Sequence, residues 1–472
     1  MAIPRVPCAA ALLLIVGCAG PLDQQLTSES FRDRIMPAGA EPPESVLRED
    51  NQPKATELPT LNESSSAADY IRYAVLNSPE VESAYQRWRA AAERIAQVGA
   101  LPDPRLRVGF FLDEVETRTG AQQAKIGVSQ SFPWPGTLAN REDAAARGAI
   151  AKWYALESAR LDTTERVVSA LYDLAYLDAA TAITNENLEL LRSFERVVRA
   201  QYRVGTGSHP ELIRVQVELG QLEDRVVQLV SMRPAYEATL NAALNRPTGT
   251  PVPVVNNLPN VIASAEVDQL VATAERENPK LLALDERTEQ QRHLTEVARD
   301  VGMPSITVGL DTILTNDASN STIAESGDDP ILLSFGLTLP IWRDKYNAGV
   351  RESIANRLAL ANDRTALSNR IAAKVHRAWF EHTDADRRVR LYERSLIPKA
   401  RESLEASLAG FRSGNSRFLD LLDTERTLLE FSIQAERARA DRGKALARLS
   451  TLTGQSIPTE PAQSPTTNEV QP

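Results

Sequence analysis

The chain has very little cysteine: Cys8 and Cys18 are the only two among 472 residues, and both lie within the first twenty positions. A framework of disulfide bonds is therefore excluded for the rest of the chain. Aromatic residues make up only 5% of the composition, whereas Ala, Leu, Glu and Arg are abundant. This balance is typical of long helices that pair with one another.

Signatures of catalysis and of nucleic-acid binding are missing as well. The sequence has no phosphate-binding loop and no nucleophile elbow, and the net charge of −10 is spread thinly, without a basic stripe. We therefore expect no enzymatic activity, no cofactor and no metal site. The four histidines form no pattern of metal ligands, so we expect them to be surface residues: His209, His293, His376 and His382.

The first 17 residues are typical of an export signal, with Arg5 ahead of the apolar run Val6 to Val16. Ile15-Val16-Gly17-Cys18 resembles a bacterial lipobox, which predicts that Cys18 becomes the acylated, palmitate-bearing N-terminus of the mature protein. By the same resemblance, Ala19 favours the outer over the inner membrane. The alternative is a plain cleavable signal followed by an incidental cysteine.

Both ends of the mature chain differ in composition from its body. Residues 18–66 are rich in Pro, Glu and Ser without an apolar period, which predicts an extended arm behind the lipid anchor. Residues 455–472 are rich in Pro, Thr and Gln, which predicts a disordered tail.

The body of the chain repeats itself. Pro104-Arg105-Leu106-Arg107-Val108-Gly109 recurs 200 residues later as Pro304-Ser305-Ile306-Thr307-Val308-Gly309. The offset grows to 209 where Tyr202-Arg203-Val204-Gly205 matches Phe411-Arg412-Ser413-Gly414. We predict two repeats of one helix-hairpin-helix-helix unit, at 67–249 and 266–454, joined by a linker at 250–265.

Each repeat contains two segments in which apolar and polar residues alternate, which predicts four strands at about 104–113, 124–132, 304–312 and 331–339. Strands with one apolar face cross a membrane only as part of a closed barrel. Four strands are too few for a barrel with a polar interior, so several chains would have to contribute. A small two-sided sheet in a soluble protein is the alternative.

Each repeat also contains one very long helical segment. Leu138 to Arg203 has no proline and one glycine, and a single helix of this length spans roughly 100 Å. Lys345 to Arg412 repeats this segment with Pro398 inside it, where we expect a bend or a local break. Both segments end at a glycine turn, Gly205 or Gly414, from which a shorter helix returns.

This order of elements, the segment Phe132-Pro133-Trp134-Pro135-Gly136 and the two glycine turns resemble the outer-membrane factor, or TolC-type, efflux channels of Gram-negative bacteria over residues 67–454. The Phe-Pro-Trp-Pro-Gly segment is similar to that of the heavy-metal RND-associated outer-membrane lipoproteins. The resemblance implies a mainly α chain with a membrane β-barrel. Three chains would form a 12-stranded barrel in the outer membrane and a long α-helical barrel in the periplasm.

The resemblance also implies a passive duct in a tripartite efflux system. Its partners would be a periplasmic adaptor, or membrane fusion, protein and an inner-membrane pump of RND type. Heavy-metal cations and drugs or other small molecules both stay open as substrates. The competing interpretations are a lipid-anchored periplasmic coiled-coil spacer or adaptor without a pore, and an enzyme of the cell envelope.

Two aspartates after the second glycine turn match the pore-gate positions of this family. Asp420 and Asp423 share one helix face because they are three residues apart, and threefold symmetry would turn each into a ring of carboxylates. Solvated charges near a helix N-terminus are the alternative. The first repeat departs from the pattern with Pro210 and Glu211, so a second gate there stays open.

The glycine turns themselves match the places where family members meet the adaptor. These positions are Arg203, Val204, Gly205 and Thr206 in the first repeat, and Arg412, Ser413, Gly414 and Asn415 in the second. Ordinary helix C-caps explain the glycines equally well.

Overall fold

The computed structural model describes residues 58–62, 64–254, 258–319, 324–413 and 415–461. Cys18, the predicted signal peptide and most of the predicted arm lie outside these residues, as does Gly414. The helices are α1 (Ala67–Asn77), α2 (Pro79–Gly99), α3 (Thr137–Arg203), α4 (His209–Ala243), α5 (Val267–Glu277), α6 (Pro279–Asp300), α7 (Arg343–Leu391), α8 (Ile397–Arg412) and α9 (Phe418–Thr453). The strands are β1 (Arg105–Thr117), β2 (Gly120–Phe132), β3 (Val261–Ala263), β4 (Ser305–Thr315), β5 (Ile331–Thr338) and β6 (Thr459–Pro461).

Contacts divide the chain into two compact units. One contains the described residues of 86–153 and 283–364, and the other those of 52–85, 154–282 and 365–472. Each unit draws on both predicted repeats. The repeats are therefore units of sequence rather than of packing, and their boundaries stay a prediction.

The first unit contains an antiparallel four-stranded sheet in the order β1-β2-β4-β5. Its register places Arg107 opposite Gly127, and Gly127 opposite Asp311, so the polar positions of the strands share one face. Large apolar side chains cover the other face and stay exposed, with 74% of Phe110 and 73% of Phe335 accessible. An apolar surface of this kind marks a site of contact with lipid or protein.

Duplicated geometry is visible in the second unit at the ends of the short helices. Asn77 is the last residue of α1, and its Nδ2 donates to the Leu244 carbonyl at 2.9 Å. Asn278 Nδ2, at the end of α5, donates to the Leu452 carbonyl at 2.8 Å. Each asparagine thereby satisfies a carbonyl at the C-terminal end of the returning helix of its own repeat, where helices leave acceptors unpaired.

The second long helical segment is continuous around Pro398. A single π-helical turn, Tyr392–Leu396, joins α7 to α8, and Ile397 N–H donates to the Tyr392 carbonyl five residues earlier. Proline has no N–H to donate and lies here in the first turn of α8, where that loss is tolerated. The predicted break is therefore one widened turn. Among the described helices, none is both long enough and apolar enough to cross a bilayer.

The prediction that the tail is disordered from residue 455 is wrong for its first residues. Thr459–Pro461 pairs antiparallel with Val261–Ala263, inside the predicted linker, to form a two-stranded sheet. Ile457 is buried in the apolar cluster that contains Leu270 and Leu449, which anchors the segment. Strands of three residues are too short to leave an alternating pattern, so no pattern in the sequence predicts them. Residues 462–472 lie outside the described residues.

Candidate pore entrance and the helix turns

The two helix turns of the second unit share a backbone hydrogen bond of the same span. In the first, Gly205 has φ +77°, and Thr206 N–H donates to the Gln201 carbonyl at 2.9 Å. In the second, Asn415 N–H donates to the Gly410 carbonyl at 2.8 Å, again across five residues. A hydrogen bond of this span with a left-handed glycine is a Schellman cap. The cap therefore accounts for Gly205 locally, whatever else the turn contacts.

The residues of both turns are open to solvent. Val204 is 74% exposed, which is high for a β-branched apolar side chain with no structural reason to face water. The other predicted contact residues that the structure describes are exposed too: Arg203, Gly205, Thr206, Arg412, Ser413 and Asn415. The turns therefore present backbone and short side chains to whatever lies beyond the helix ends.

Asp420 has a defined local role in the first turn of α9. Its carboxylate accepts a hydrogen bond from Arg417 N–H at 3.3 Å and a second one from the Arg417 guanidinium at 3.2 Å. A carboxylate at this position satisfies an unpaired N–H and complements the positive end of the helix dipole. Asp420 therefore caps the helix while its carboxylate remains exposed.

Asp423 lies one turn further on and is also exposed. In the described part of the chain, no hydrogen bond or ion pair engages its carboxylate; only its backbone carbonyl is used, by the Thr427 hydroxyl at 2.8 Å. The structure thus brings Asp420 and Asp423 together on the exposed side of one helix, as their spacing predicts. Whether they line a pore is a property of the assembled channel and stays a prediction.

The opposite side of α9 holds the helix in place. Phe418 and Leu421 are fully buried in a cluster formed by the ends of α3 and α8 and the beginnings of α4 and α9. Phe411 packs edge-on against Phe418, with ring centroids 5.6 Å apart. This packing fixes the rotation of α9, so that Asp420 and Asp423 must point away from the cluster.

The first repeat does not reproduce the pair of carboxylates. Glu211 accepts from Ser208 N–H at 3.2 Å, so it caps α4 as Asp420 caps α9. The position that corresponds to Asp423, 209 residues earlier, is Arg214. A second gate of the same design would therefore combine opposite charges at these two positions.

Sequence reasoning missed a third carboxylate on α9. Glu425 is 1% exposed, and burial, aided by the nearby Glu218 carboxylate and opposed by Arg426, raises its pKa to about 7. The signal was present in the sequence. Glu425 is seven residues after Phe418 and four before Leu429, so it occupies an apolar position of the helix.

The expectation that all four histidines lie at the surface is wrong for His382. This residue of α7 is 2% exposed, and its Nε2 accepts a hydrogen bond from Ala263 N–H at 3.0 Å. Burial lowers the pKa of His382, and the charge of Arg442 lowers it further. The hydrogen bond to the Arg442 carbonyl and the charge of Asp386 act in the opposite direction but are outweighed. His382 therefore holds strand β3 rather than a ligand. Within the described ranges, no group of three or more His, Cys, Asp or Glu side chains is arranged to hold a metal ion.

The polar face of the sheet carries a second set of charges. Lys125 Nζ lies 3.6 Å from Asp311 Oδ1, and Ser334 Oγ donates to Asp311 Oδ2 at 3.3 Å. Gly127 lies directly beside Asp311, where a Cβ would be 2.0 Å from its Oδ1. Because glycine has no side chain, Gly127 leaves room for this polar cluster. The cluster lies on the sheet face that would face water in a barrel.

The pattern of the family described as outer membrane efflux protein matches residues 70–246 and 270–455. The chain belongs to this family. It is similar to the cobalt-zinc-cadmium resistance protein CzcC of Cupriavidus metallidurans, with 20% identity over 350 residues that cover 72% of this chain and 78% of that protein. It is also similar to the outer membrane protein TolC of Vibrio cholerae, with 22% identity over 390 residues that cover 79% of this chain and 87% of that protein.

Solved structures of channels share the fold. The structure of CusC matches with a TM-score of 0.70 at 15% identity, and the match covers 89% of this chain and 98% of that one. The predicted fold class, mainly α with a membrane β-barrel and a helical barrel, is thereby confirmed.

Family membership also settles the general function. The chain is an outer-membrane channel of a tripartite efflux system, located in the outer membrane of a Gram-negative bacterium and extending into the periplasm. Members of the family are trimeric channels that work with an adaptor and an inner-membrane pump. The family is one of transport proteins rather than enzymes.

Proposed function

We propose that this chain forms a homotrimeric duct whose periplasmic entrance is ringed by Asp420 and Asp423. The observation that carries the proposal is the position of both carboxylates on the exposed side of α9, directly after a helix turn, with the buried Phe418 and Leu421 behind them. Threefold symmetry would place six carboxylates at the narrowest part of the duct, where rings of acidic side chains favour cations.

The strength of such a ring depends on confinement. Two unit charges 4 Å apart interact by about 1 kcal/mol in bulk water and by about 4 kcal/mol at an effective dielectric constant of 20. Asp423 has no ion-pair partner in the described structure, because the nearby Arg426 pairs with Glu218 instead. Asp420 shares its charge with Arg417, at 3.2 Å, so we expect Asp423 to contribute more to cation attraction.

Conductance in planar bilayers tests the entrance. An exchange-inert trivalent cation, which can bind only electrostatically, should block the wild-type channel from the periplasmic side. Asp423→Ala should weaken the block more than Asp420→Ala, and the double variant should weaken it most while trimers still form. Asp441→Ala, far along α9, is the control. Undiminished block in the double variant would show that both residues are ordinary surface acids.

The two helix turns are the proposed contact with the adaptor. The exposed Val204 and the open backbone at Gly205 support close docking of another helix end. Gly414 matches the same role but lies outside the described residues. Replacing Val204 with Asp should reduce cross-linking to the adaptor in cells without changing the conductance of the isolated channel. Unchanged cross-linking would assign the turns a capping role alone.

We propose heavy-metal cations as the substrate and an RND-type pump as the inner-membrane partner. The support is the likeness to CzcC, a cobalt-zinc-cadmium resistance protein, together with the acidic entrance. Deletion of the gene should lower tolerance to zinc, cobalt or cadmium, and the intact gene should restore it. A loss of tolerance to drugs with unchanged tolerance to metals would assign the duct to drug export instead.

We propose further that Cys18, which lies outside the described residues, is acylated and anchors the mature N-terminus in the outer membrane. Mass spectrometry of the mature N-terminus measures the modification directly. Cys18→Ser, exported by a working signal, should still trimerise because the barrel supplies its own attachment to the membrane. An unmodified N-terminus beyond residue 18 would contradict the anchor.

A further inference from the structure

Glu425 interrupts the apolar side of α9 just behind the proposed entrance. It follows Phe418 and Leu421 by seven and four residues and precedes Leu429 by four, and all four side chains are buried. Its Oε1 is inaccessible to solvent and accepts no hydrogen bond in the described structure. A carboxyl group in this position fits the apolar cluster when it is protonated and leaves a buried charge when it is ionised.

The charged groups around Glu425 do not compensate an ionised carboxylate. The nearby cation, Arg426, already pairs with Glu218 of α4, and Glu218 itself repels a second negative charge. On α3, the buried Glu195 pairs with Arg199, whose Nε lies 2.8 Å from Glu195 Oε1. The ionisable residues of α8 are all exposed: Lys399, Arg401, Glu402, Glu405 and Arg412.

We propose that Glu425 is a proton-dependent latch of the entrance: its neutral form holds the first turns of α9 in the packed cluster, and its ionised form drives them outward until water reaches the carboxylate. This proposal rests on the proposed function, because it assumes that the first turns of α9 carry the carboxylates of the entrance. These turns are joined to α8 by Phe411 against Phe418 and by the Ser407 and Thr424 hydroxyls, 3.3 Å apart. These contacts would separate when the latch opens.

The direction of the pH dependence follows from linkage. The pKa of Glu425 is about 7 in the packed cluster, against 4.5 for a hydrated glutamate. The packed form therefore binds the proton more tightly, is favoured fully below pH 4.5, and loses this advantage as the pH rises through 7. Between pH 6 and pH 8 the equilibrium for opening the turn should increase about tenfold.

Hydrogen exchange of the α9 amides in the full-length trimer measures the opening directly. After division by the intrinsic exchange rate, wild-type protection of residues 418–430 should fall about tenfold from pH 6 to pH 8. Glu425→Gln keeps the shape without the charge and should show no such fall. Glu430→Gln, an exposed glutamate of the same helix, should behave as wild type. A fall that persists in Glu425→Gln, or that is absent from the wild type, overturns the latch.

Channel recordings of the same proteins connect the latch to gating. Wild-type open probability should increase from pH 6 to pH 8, whereas Glu425→Gln and the apolar Glu425→Leu should stay at the wild-type level of pH 6. The block by a trivalent cation is recorded alongside. If the block depends on Asp420 and Asp423 but the pH response does not depend on Glu425, the latch is refuted and the entrance assignment stands. Block that survives the Asp420→Ala/Asp423→Ala change refutes the entrance assignment itself.

Discussion

Arg426 of α9 reaches Glu218 of α4, with its Nε 2.8 Å from Glu218 Oε1. This ion pair joins the helices that follow the two glycine turns. Only 13% of the Glu218 side chain is exposed, whereas half of Arg426 is exposed. The partial burial of the carboxylate distinguishes this pair from the many exposed ion pairs on the helices, which contribute little to stability.

Removing the cation of this pair should loosen the entrance. Arg426→Ala leaves the Glu218 carboxylate partly buried without its partner, so the ends of α4 and α9 should be destabilised by about 1 kcal/mol. Hydrogen-exchange protection of both helix ends would then fall by about fivefold, and channel conductance should rise. The control is Arg401→Ala, an exposed arginine of α8. Equal hydrogen-exchange protection in Arg426→Ala and Arg401→Ala would show that the ion pair between Arg426 and Glu218 does not stabilise the closed entrance.

Gly443 should tolerate no side chain. A Cβ at this position would lie 2.1 Å from Cζ of Tyr172, and the Tyr172 hydroxyl is held by a 2.8 Å hydrogen bond to the Pro259 carbonyl. Gly443→Ala should therefore destabilise the protein by about 1–3 kcal/mol, despite the better helix propensity of alanine. Gly220→Ala, at a helical glycine with open space around it, should stabilise by about 0.5–1 kcal/mol.

Thermal unfolding of the purified channel compares the two glycine variants. We expect the melting temperature to fall for Gly443→Ala and to rise slightly for Gly220→Ala. Shifts in the same direction would mean that the ring of Tyr172 moves aside at little cost.

His382 should make the packing of strand β3 sensitive to acid. Its lowered pKa means that the folded protein binds the proton more weakly than the unfolded chain does. The contribution of neutral His382 is therefore complete above its ordinary pKa of 6.5 and is lost as the pH falls through its lower folded value. Protonation would also remove the acceptor that Nε2 offers to Ala263 N–H.

Unfolding between pH 8 and pH 5 tests this behaviour. The wild type should lose more stability on acidification than His382→Gln, which has no proton to gain. His376→Gln serves as the control because His376 is exposed on the same helix. An identical acid response of the wild type and His382→Gln would place the sensitive group elsewhere.

The two faces of the sheet should label differently in membranes. Single cysteines at Arg107, Ser129, Thr307 and Thr338 lie on the polar face and should react with a membrane-impermeant thiol reagent. Cysteines at Val108, Val128, Val308 and Leu337 lie on the apolar face and should be protected. Equal labelling of both sets would contradict a water-filled barrel. Val308→Arg should also destabilise the barrel by about 2–4 kcal/mol, and Thr307→Arg much less.

The helices and the four strands of the larger sheet followed from the sequence because each rests on a pattern within one element. Alternation at Leu106, Val108 and Phe110 specifies a strand with one apolar face, whichever chain supplies its neighbours. A stretch without proline, from Leu138 to Arg203, specifies a long helix for the same local reason. The spacing of Asp420 and Asp423 likewise places them on one face before any packing is known.

The tertiary structure alone decided the features that depend on contacts between distant segments. His382 is buried because strand β3, more than a hundred residues earlier, covers it, and β3 exists because Thr459–Pro461 pairs with it. The pKa of Glu425 depends on Glu218, which α4 brings from more than two hundred positions away. Periodicity encodes which side of an element is apolar, whereas burial and charge depend on what the folded chain packs against that side.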